Sequence, residues 1–435
     1  MPGQWAIPRL KSQGHAPIGG SHLLLKNLSR EQQVNLAILF TAGLLFWSGL
    51  ASLLPTLPLY IEDAGATTQQ VGTVMASFAI GLLLLKARLS KLADWHSRKL
   101  VLIIGMLAIA TAPLGYLMTQ SLALLMVLRA FHGISIAAFA TGYSALVADI
   151  APPRNRGELI GYMSLVNPLG LAIGPALGGL LYGVGGYGPA FLLSVALGVL
   201  GLLCVLRLWE PPRTTPTNKA QDNGRFWRLI GTDRLRVPVT VLLMVGIAFG
   251  TMSTFVPLYI RDTGANFNVG LFYTAAAIAS FSVRLLTGRA SDNYGRGRFI
   301  TLSLLLYGSA MVVLWQADTA PMFLTGAALQ GAGAGIVIPT MAALMADRSL
   351  PEERGRIFGL CMVGFDVGLA MAGPVLGGFA DVIGYSGIFG LAASLIFLGL
   401  LLFITLSSKD LAHSLRFALG RGRDLYAVDV PSQSG

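Results

Sequence analysis

Charged residues are scarce in this sequence. Only 12% of its 435 residues are Asp, Glu, Lys or Arg, whereas 54% are hydrophobic and the mean hydropathy is +0.68. Such a chain lacks the polar surface that several water-soluble cores would need. The composition therefore excludes an ordinary soluble protein and predicts a chain that lies in a lipid bilayer.

Residues that carry out catalysis are also few. The two cysteines, Cys204 and Cys361, lie in apolar runs far apart, so we expect two reduced thiols rather than a disulfide. No lysine directly follows a glycine, which excludes a phosphate-binding P-loop, and four of the five histidines lie in predicted tails or loops. The sequence predicts no enzyme, no cofactor and no metal site.

Long uncharged runs are present instead. A hydrocarbon core about 30 Å thick is crossed by roughly 20 apolar residues in a helix. Runs of this length predict helices, because lipid offers the backbone no hydrogen-bond partners and the alternating pattern of barrel strands is absent. The twelve predicted spans are 34–60, 68–90, 99–119, 121–148, 157–182, 187–207, 237–260, 266–288, 298–317, 320–346, 356–382 and 385–407.

Basic residues are concentrated on one side of these spans. Of the 31 Lys and Arg residues, 28 lie in the tails and in the connections of a single side. Cytoplasmic loops carry this excess of basic residues. We therefore expect a protein of a bacterial-type plasma (inner) membrane, with both termini in the cytoplasm. We therefore interpret the net charge of +11 as a consequence of membrane orientation and not as a phosphate-binding surface. The predicted partner is the lipid bilayer, and no nucleic acid is expected.

The sequence repeats itself at an offset of 198 or 199 residues. "PLYIEDAGA" at 58–66 returns as "PLYIRDTGA" at 257–265, and "ADIAPPRNRG" at 148–157 returns as "ADRSLPEERG" at 346–355. Six spans per copy give both copies the same orientation, related by an axis along the membrane normal. The predicted organisation is a tail 1–33, a six-helix bundle 34–207, a linker 208–236, a second six-helix bundle 237–407 and a tail 408–435.

Several motifs carry a family resemblance. "GRASDNYGRGR" follows span 8, the related "SKLADWHSRK" follows span 2, and Arg129 in span 4 is followed by "HG" at 132–133. Together with the repeat, these features resemble the major facilitator superfamily, and "GPALGG" in span 5 resembles its drug:proton antiporter branch. The resemblance implies an all-α integral membrane fold of two pseudo-symmetric six-helix bundles, acting as a monomer on a small molecule.

Small residues in span 5 predict close helix packing. Gly170, Gly174 and Gly178 recur every four residues and form one ridge, and Pro175 removes a backbone hydrogen bond. The resemblance implies that this ridge lies where the two halves meet, although ordinary packing of small residues is an alternative. The full predicted interface motif is Gly170, Gly174, Pro175, Gly178, Gly179, Gly373, Pro374, Gly377 and Gly378.

The two repeated loops after spans 2 and 8 predict a cytoplasmic gate. A carboxylate such as Asp94 can bind the free N–H groups at the start of span 11 in the other half. A purely topological role of the basic residues is the alternative. The residues that match the gating motif are Asp94, Arg98, Lys99, Gly288, Asp292, Gly295 and Arg296.

Charges inside spans are expensive and point to function. The sequence places Arg129, Arg284 and Asp366 there, and the repeat sets Asp366 opposite Asn167. Loss of water disfavours a charged carboxyl group, so we expect Asp366 to gain and lose a proton. Alternatively, Asp366 is permanently hydrogen-bonded or salt-bridged and only fixes helix packing. For Arg284 the alternative is that its side chain snorkels to the membrane interface. The predicted coupling set is Arg129, His132, Asn167 and Asp366.

Aromatic residues predict the nature of the solute. Those on the expected cavity helices suit an apolar or amphipathic molecule, unless they only pack. They are Phe46, Trp47, Phe139, Tyr143 and Phe255. The leading hypothesis is a proton-coupled exporter of amphipathic or drug-like compounds. The alternatives are an uptake symporter or facilitator for a metabolite and, more remotely, a non-transporting sensor or channel.

Overall fold

The computed structural model describes residues 28–152, 156–211, 232–287, 290–350 and 353–428. Across these ranges the regular secondary structure is helical, and twelve helices are long and apolar enough to cross a membrane. This confirms the predicted all-α class and the number of spans. The predicted segments 1–27, 212–231 and 429–435 of the tails and linker lie outside the described residues.

We number the twelve long helices α1 to α12, so that each number matches a predicted span. Four shorter helices are named by their bounds: Leu57–Asp63, Arg156–Met163, Ala290–Tyr294 and Leu411–Ala418. The long helices are α1 Arg30–Ala51, α2 Thr68–Trp95, α3 Arg98–Leu117, α4 Leu122–Ile150, α5 Val166–Gly185, α6 Tyr187–Leu206, α7 Arg236–Thr263, α8 Gly270–Thr287, α9 Arg296–Trp315, α10 Ala320–Asp347, α11 Arg354–Gly377 and α12 Ala380–Leu406.

Two predicted spans are interrupted rather than continuous. Span 1 stops at Ala51 and resumes at Leu57. Pro55 lies in the break and has no N–H to donate, and Pro58 lies in the first turn of the second segment. Span 5 is broken between the short helix Arg156–Met163 and α5, whose first turn contains Pro168. The predicted spans 34–60 and 157–182 are thus each divided into two helical segments, although residues Leu159–Gly185 still form one candidate membrane span.

A glycine separates the last two spans. Gly384 has φ 69° and ψ 175°, a backbone conformation that residues with a Cβ atom rarely adopt. It breaks the helical path within Ala380–Leu406, so the regular part of α12 begins at the predicted residue 385.

Helix packing is repeated in the two halves. In the first half α1 packs on α5 and α6, α2 packs on α4, and α3 packs on α4 and α6. In the second half α7 packs on α11 and α12, α8 on α10, and α9 on α10 and α12. The halves meet chiefly through two pairs, α2 with α11 and α5 with α8. The structure thus has the pseudo-symmetric two-bundle architecture that the repeat predicts.

Backbones touch within each bundle. A Cβ built on Gly133 would lie 1.9 Å from the Phe78 carbonyl oxygen, which brings α4 against α2. A Cβ on Gly331 would lie 1.9 Å from the Ala276 oxygen, which does the same for α10 and α8. Close backbone approach matters here because lipid removes the hydrophobic drive between helices. The two thiols are free as expected, with Cys361 buried and Cys204 half-buried.

We call the end of the molecule that carries residues 208–211 and 232–236 the linker end, and the other the opposite end. At the linker end, the segment after α12 is docked on the second half. The short helix Leu411–Ala418 packs on α9, where Thr301 donates a hydrogen bond to the Ala418 oxygen over 3.0 Å. The predicted tail 408–435 thus contains ordered structure that the sequence did not reveal.

A buried ion pair fixes this segment. Arg348, only 1% exposed, donates from Nε and Nη2 to Asp424 over 2.6 and 3.0 Å. Its remaining donors reach the carbonyl oxygens of Arg234 and Ser407 over 2.8 and 2.9 Å. One guanidinium therefore joins the end of α10 to the linker, to the end of α12 and to the C-terminal segment.

Replacing Arg348 by Gln is expected to lower the stability of the second half. The Asp424 carboxylate would stay buried without a counter-charge, which costs about 3–5 kcal/mol. Thermal unfolding of the detergent-solubilised protein measures the effect, with exposed Arg423→Gln as the matched control. A Tm for Arg348→Gln equal to that of the control would contradict the role of this pair.

Candidate transport pathway between the two halves

The α2–α11 contact is a contact of backbones. A Cβ built on Gly72 would lie 2.2 Å from the Gly373 carbonyl oxygen, and a Cβ on Gly373 would lie 2.2 Å from the Gly72 oxygen. No larger residue fits at either position without separating the helices. Gly373 of the predicted interface motif therefore lies where the halves meet, next to Pro374.

The α5–α8 contact is its counterpart by the repeat. A Cβ on Gly179 would meet the Asn268 side chain, and a Cβ on Gly378 would meet the Gln69 side chain. Both glycines and both amides are related by the offset of 199. On this side Thr274 of α8 also donates a hydrogen bond to the Ala172 oxygen of α5 over 2.7 Å.

The span 5 ridge has a different partner from the one expected. Cβ atoms on Gly170, Gly174 and Gly178 would collide with Trp47, Ser48 and Ser52 of the first span, within the same half. The inter-half contact comes instead from the neighbouring face, where the Pro175 carbonyl lies against Gly270 of α8. The expectation that the ridge lies between the halves was wrong, because residue spacing defines a face of a helix but not the helix that covers it.

An ion-pair cluster joins the halves at the opposite end. Arg261 at the end of α7 pairs with Glu62 and, over 2.7 Å, with Asp63, and the Tyr385 hydroxyl donates to Glu62 over 2.7 Å. Arg261 is the repeat counterpart of Glu62, so the cluster sits where the pseudo-symmetry axis crosses this end. The partners are 28–45% exposed, so each pair contributes about 0.2–1 kcal/mol. These ion pairs favour contact between the halves at the opposite end, but they are too weak to make that contact permanent.

Nearer the linker end, one ion pair crosses between the halves. Lys86 of α2 lies 3.7 Å from the Asp366 carboxylate of α11, and its side chain is 54% exposed. From the Gly72–Gly373 contact, Lys86 is 14 residues along α2 and Asp366 is 7 residues along α11, about 21 and 10 Å of rise. The lysine spans the difference because helical side chains lean toward the N-terminus of their helix.

Lys86 is the residue that sequence reasoning missed. It lies within predicted span 2, 68–90, but was counted with the basic residues of the following loop and its helix end. The structure continues α2 to Trp95, which places Lys86 nine residues inside the helix. The repeat offers a signal that was available, since Lys86 matches Arg284 at the offset of 198.

Arg129 and His132 form a separate group within the first half. The Arg129 guanidinium lies 4.5 Å from the centre of the Phe78 ring, and His132 Nδ1 lies 3.0 Å from the Tyr116 hydroxyl. Both side chains are buried, and neither Arg129 Nε nor His132 Nε2 has a hydrogen-bond partner among the described residues. Phe78 is eight residues from Lys86, about 12 Å along α2. The structure therefore does not bring the predicted coupling set into one cluster.

Two further predicted residues lie on the α5–α8 side. Asn167 is half-buried in the first turn of α5. Arg284 is half-buried in the last turn of α8, and its Nε atom is buried without a hydrogen-bond partner in the described part of the chain.

The five predicted cavity aromatics are packed against neighbouring groups in this conformation, and their contact with a solute stays a prediction. Phe46 and Phe139 are fully buried and stacked with ring centres 3.9 Å apart, and Phe255 is buried in the second half. Tyr143 donates a hydrogen bond to the Met163 oxygen over 2.9 Å, and Trp47 is half-buried beside Phe46. These five side chains pack the bundles, because the same apolar rings suit a helix interface and a cavity wall.

The loop residues of the predicted gate pair within their own half. Arg98 binds Asp149 at the end of α4 and Asp94 over 3.2 Å. Lys99 donates to the Leu206 and Leu208 oxygens over 2.7 and 2.8 Å. Asp94 was expected to bind the start of α11. That binding stays a prediction. At the start of α3, the Glu210 carboxylate accepts from the Arg98 backbone N–H over 2.8 Å.

The second loop repeats this arrangement. Arg296 pairs with Asp347 over 3.1 Å, and Arg98–Asp149 and Arg296–Asp347 are related by the offset of 198. Gly295 has φ 91°, which explains the glycine of the motif at this turn. Gly288 lies outside the described residues, and of Asp292 only the backbone is described.

Comparison with known proteins identifies related chains. The sequence model of the Major Facilitator Superfamily matches residues 39–290 and 262–422. An uncharacterized MFS-type transporter of Salmonella typhimurium is 29% identical over 79% of this chain and 89% of its own length. The multidrug resistance protein MdtG of Proteus mirabilis is 26% identical over 87% of this chain and 96% of its own length.

The fold also matches a solved structure. A crystal structure of the nucleoside transporter NupG superposes with a TM-score of 0.74 and covers 84% of this chain and 98% of that chain. At 13% sequence identity this likeness concerns the fold alone.

Replacing Gly72 by Ala is expected to separate the halves at the opposite end. The new methyl group would overlap the Gly373 backbone, which cannot move without shifting α11. Distances between spin labels at exposed Gln120 and Asp318, in a variant without Cys204 and Cys361, should lengthen by several ångströms. Gly183→Ala is the matched control because no atom lies within 4 Å of its added methyl group. Identical distance distributions in the two variants would contradict the interpretation.

Proposed function

Since this chain belongs to the major facilitator superfamily, we propose that it exports small amphipathic compounds in exchange for protons. Similarity to a multidrug resistance protein over most of both chains supports export. The observation that carries the proposal is the Lys86–Asp366 ion pair, because it is a titratable contact between the two halves.

The proposed orientation follows from the basic residues. The linker end carries most of the Lys and Arg residues, so we assign it to the cytoplasmic side of the plasma membrane. The described contacts between the halves lie mainly at the opposite end, in the Gly72–Gly373 crossing and the Arg261 cluster. With this assignment, the proposal is a monomer whose present conformation is closed toward the exterior and open toward the cytoplasm.

Proton coupling uses competition for one carboxylate. In its charged form Asp366 attracts Lys86 and ties α11 to α2. A proton on Asp366 removes that attraction and frees both helices, since the proton and the Lys86 ammonium compete for the same negative charge. Arg129 and His132 lie too deep in the first half to share this step, and in the proposal they stabilise the position of α4 against α2 and α3.

Alternating access to the two sides of the membrane requires the two halves to rock against each other. Opening the opposite end breaks the Arg261 cluster and the glycine crossings, while Arg98–Asp149 and Arg296–Asp347 remain within their halves. Closure of the linker end brings the loop that contains Asp94 toward the start of α11, where the sequence predicts its binding.

Replacing Asp366 by Asn is expected to uncouple transport from protons. In inverted vesicles with an acidic lumen, an exporter should draw an amphipathic compound inward and dissipate the proton gradient. Asp366→Asn should abolish the dissipation, since the amide does not titrate near neutral pH, whereas Asp381→Asn, at an exposed position, should retain it. A growth screen against toxic compounds, with and without the gene, selects the substrates.

Two results would contradict this proposal. One is accumulation of the compound without movement of protons. The other is full proton coupling in Asp366→Asn.

Uptake by proton symport is a second candidate, which one observation favours. In the described part of the chain, basic Lys86, Arg129 and Arg284 accompany acidic Asp366 inside the bundle. Protonation of Asp366 would free Lys86 for an acidic group of a solute, so proton and solute would bind together. In the same vesicles a symporter would empty a preloaded lumen instead of filling it.

A further inference from the structure

The two crossings between the halves carry unequal charges at equivalent positions. The repeat relates Lys86 to Arg284 at an offset of 198 and Asp366 to Asn167 at an offset of 199. On the α2–α11 side a cation meets a carboxylate over 3.7 Å. On the α5–α8 side the cation is kept, but an amide occupies the position of the carboxylate.

The helix contacts support this equivalence. Gly72 of α2 lies against Gly373 of α11, and its counterpart Gly270 of α8 lies against the Pro175 backbone of α5, one residue beyond Gly174, the counterpart of Gly373 at the offset of 199. From these contacts Arg284 and Lys86 lie the same 14 residues further toward the linker end, on the same side of their helices. The pseudo-symmetry therefore directs Arg284 toward the α5 face that carries Asn167.

Among the residues that the structure describes, Arg284 has no counter-charge. Its Nε atom is buried and lacks a hydrogen-bond partner among the described residues, and the ion pairs described for those residues do not include it. A guanidinium is charged at all relevant pH values, and an uncompensated charge within a bilayer is costly. A ligand that brings negative charge would remove this cost.

We propose that Arg284 and Asn167 form a subsite for the acidic group of the transported solute, a carboxylate. The guanidinium presents parallel N–H donors that match a carboxylate, and the Asn amide adds one more donor. The solute carboxylate would thus take the position that Asp366 holds in the other crossing. This inference rests on the proposed function only in that a solute enters between the halves, and it holds for export and uptake.

Matched probes test the charge preference. 4-Phenylbutyrate, 4-phenylbutyramide and 4-phenylbutylamine share one apolar skeleton and differ in charge. Titrated onto the full chain in phosphatidylcholine nanodiscs, the acid should bind about tenfold more tightly than the amide and the amine, as one charge-assisted pair allows. Arg284→Gln should remove the preference, and Arg284→Lys should retain part of it.

A variant of the protein supplies the carboxylate internally. Asn167→Asp restores the charge arrangement of Lys86 and Asp366, so it should raise the Tm and abolish binding of 4-phenylbutyrate. In the Arg284→Gln background the same substitution should lower the Tm. This opposite sign distinguishes a charge pair from a general effect of an acidic residue.

Three outcomes would overturn the subsite. They are equal or undetectable binding of the acid and the amide, an effect of Asn167→Asp that does not depend on Arg284, and loss of the preference when phosphatidylglycerol replaces phosphatidylcholine. The last result would assign Arg284 to a lipid headgroup. Failure of the proposed export would appear separately, as absent or reversed flux in vesicles with the binding preference intact.

Discussion

Two bundles that sit side by side in lipid gain nothing from burying apolar surface against each other, because the acyl chains are equally apolar. The halves of this protein are joined instead by what lipid cannot offer. These are backbone contacts across glycine, hydrogen bonds to carbonyl oxygens and a few ion pairs. Gly72 and Gly373 show the principle best, since each occupies the space that a side chain on the other would need. Such contacts have short range, so a small rotation breaks them together and lets the bundle open at one end.

The duplication gives this interface its two crossings, and later divergence gives the crossings different chemistry. The glycine and amide pairs near the opposite end have stayed equivalent, as Gln69 with Gly378 and Asn268 with Gly179 show. The charges deeper in the molecule have not. Lys86 pairs with a carboxylate, whereas Arg284 pairs with none among the described residues, and this difference is the basis of the proposed subsite.

The sequence predicted the spans and the two-bundle fold because bilayer thickness fixes helix length and the repeat fixes symmetry. It did not predict Lys86, because a basic residue near a span boundary was interpreted as marking the end of the helix. It identified the ridge of Gly170, Gly174 and Gly178 but not its neighbour, since a periodic pattern carries no information about the partner. Arg348 and Asp424 were also missed, because 76 residues separate them and neither stands in a recognisable motif.

The family resemblance was confirmed by the comparisons, whereas the roles of single residues stay proposals. The burial of Phe46, Phe139 and Phe255 shows why. A sequence reports that an apolar ring is needed at a position, and the same ring serves equally for packing and for solute contact.

Glu62 and Arg261 occupy one and the same position of the ancestral unit, yet they carry opposite charges and bind each other. A half that paired with an identical copy of itself would bring like charges together at its symmetry axis. The divergence at this position therefore penalises homodimers of either half and favours the mixed pair, which only a fused or co-produced polypeptide provides.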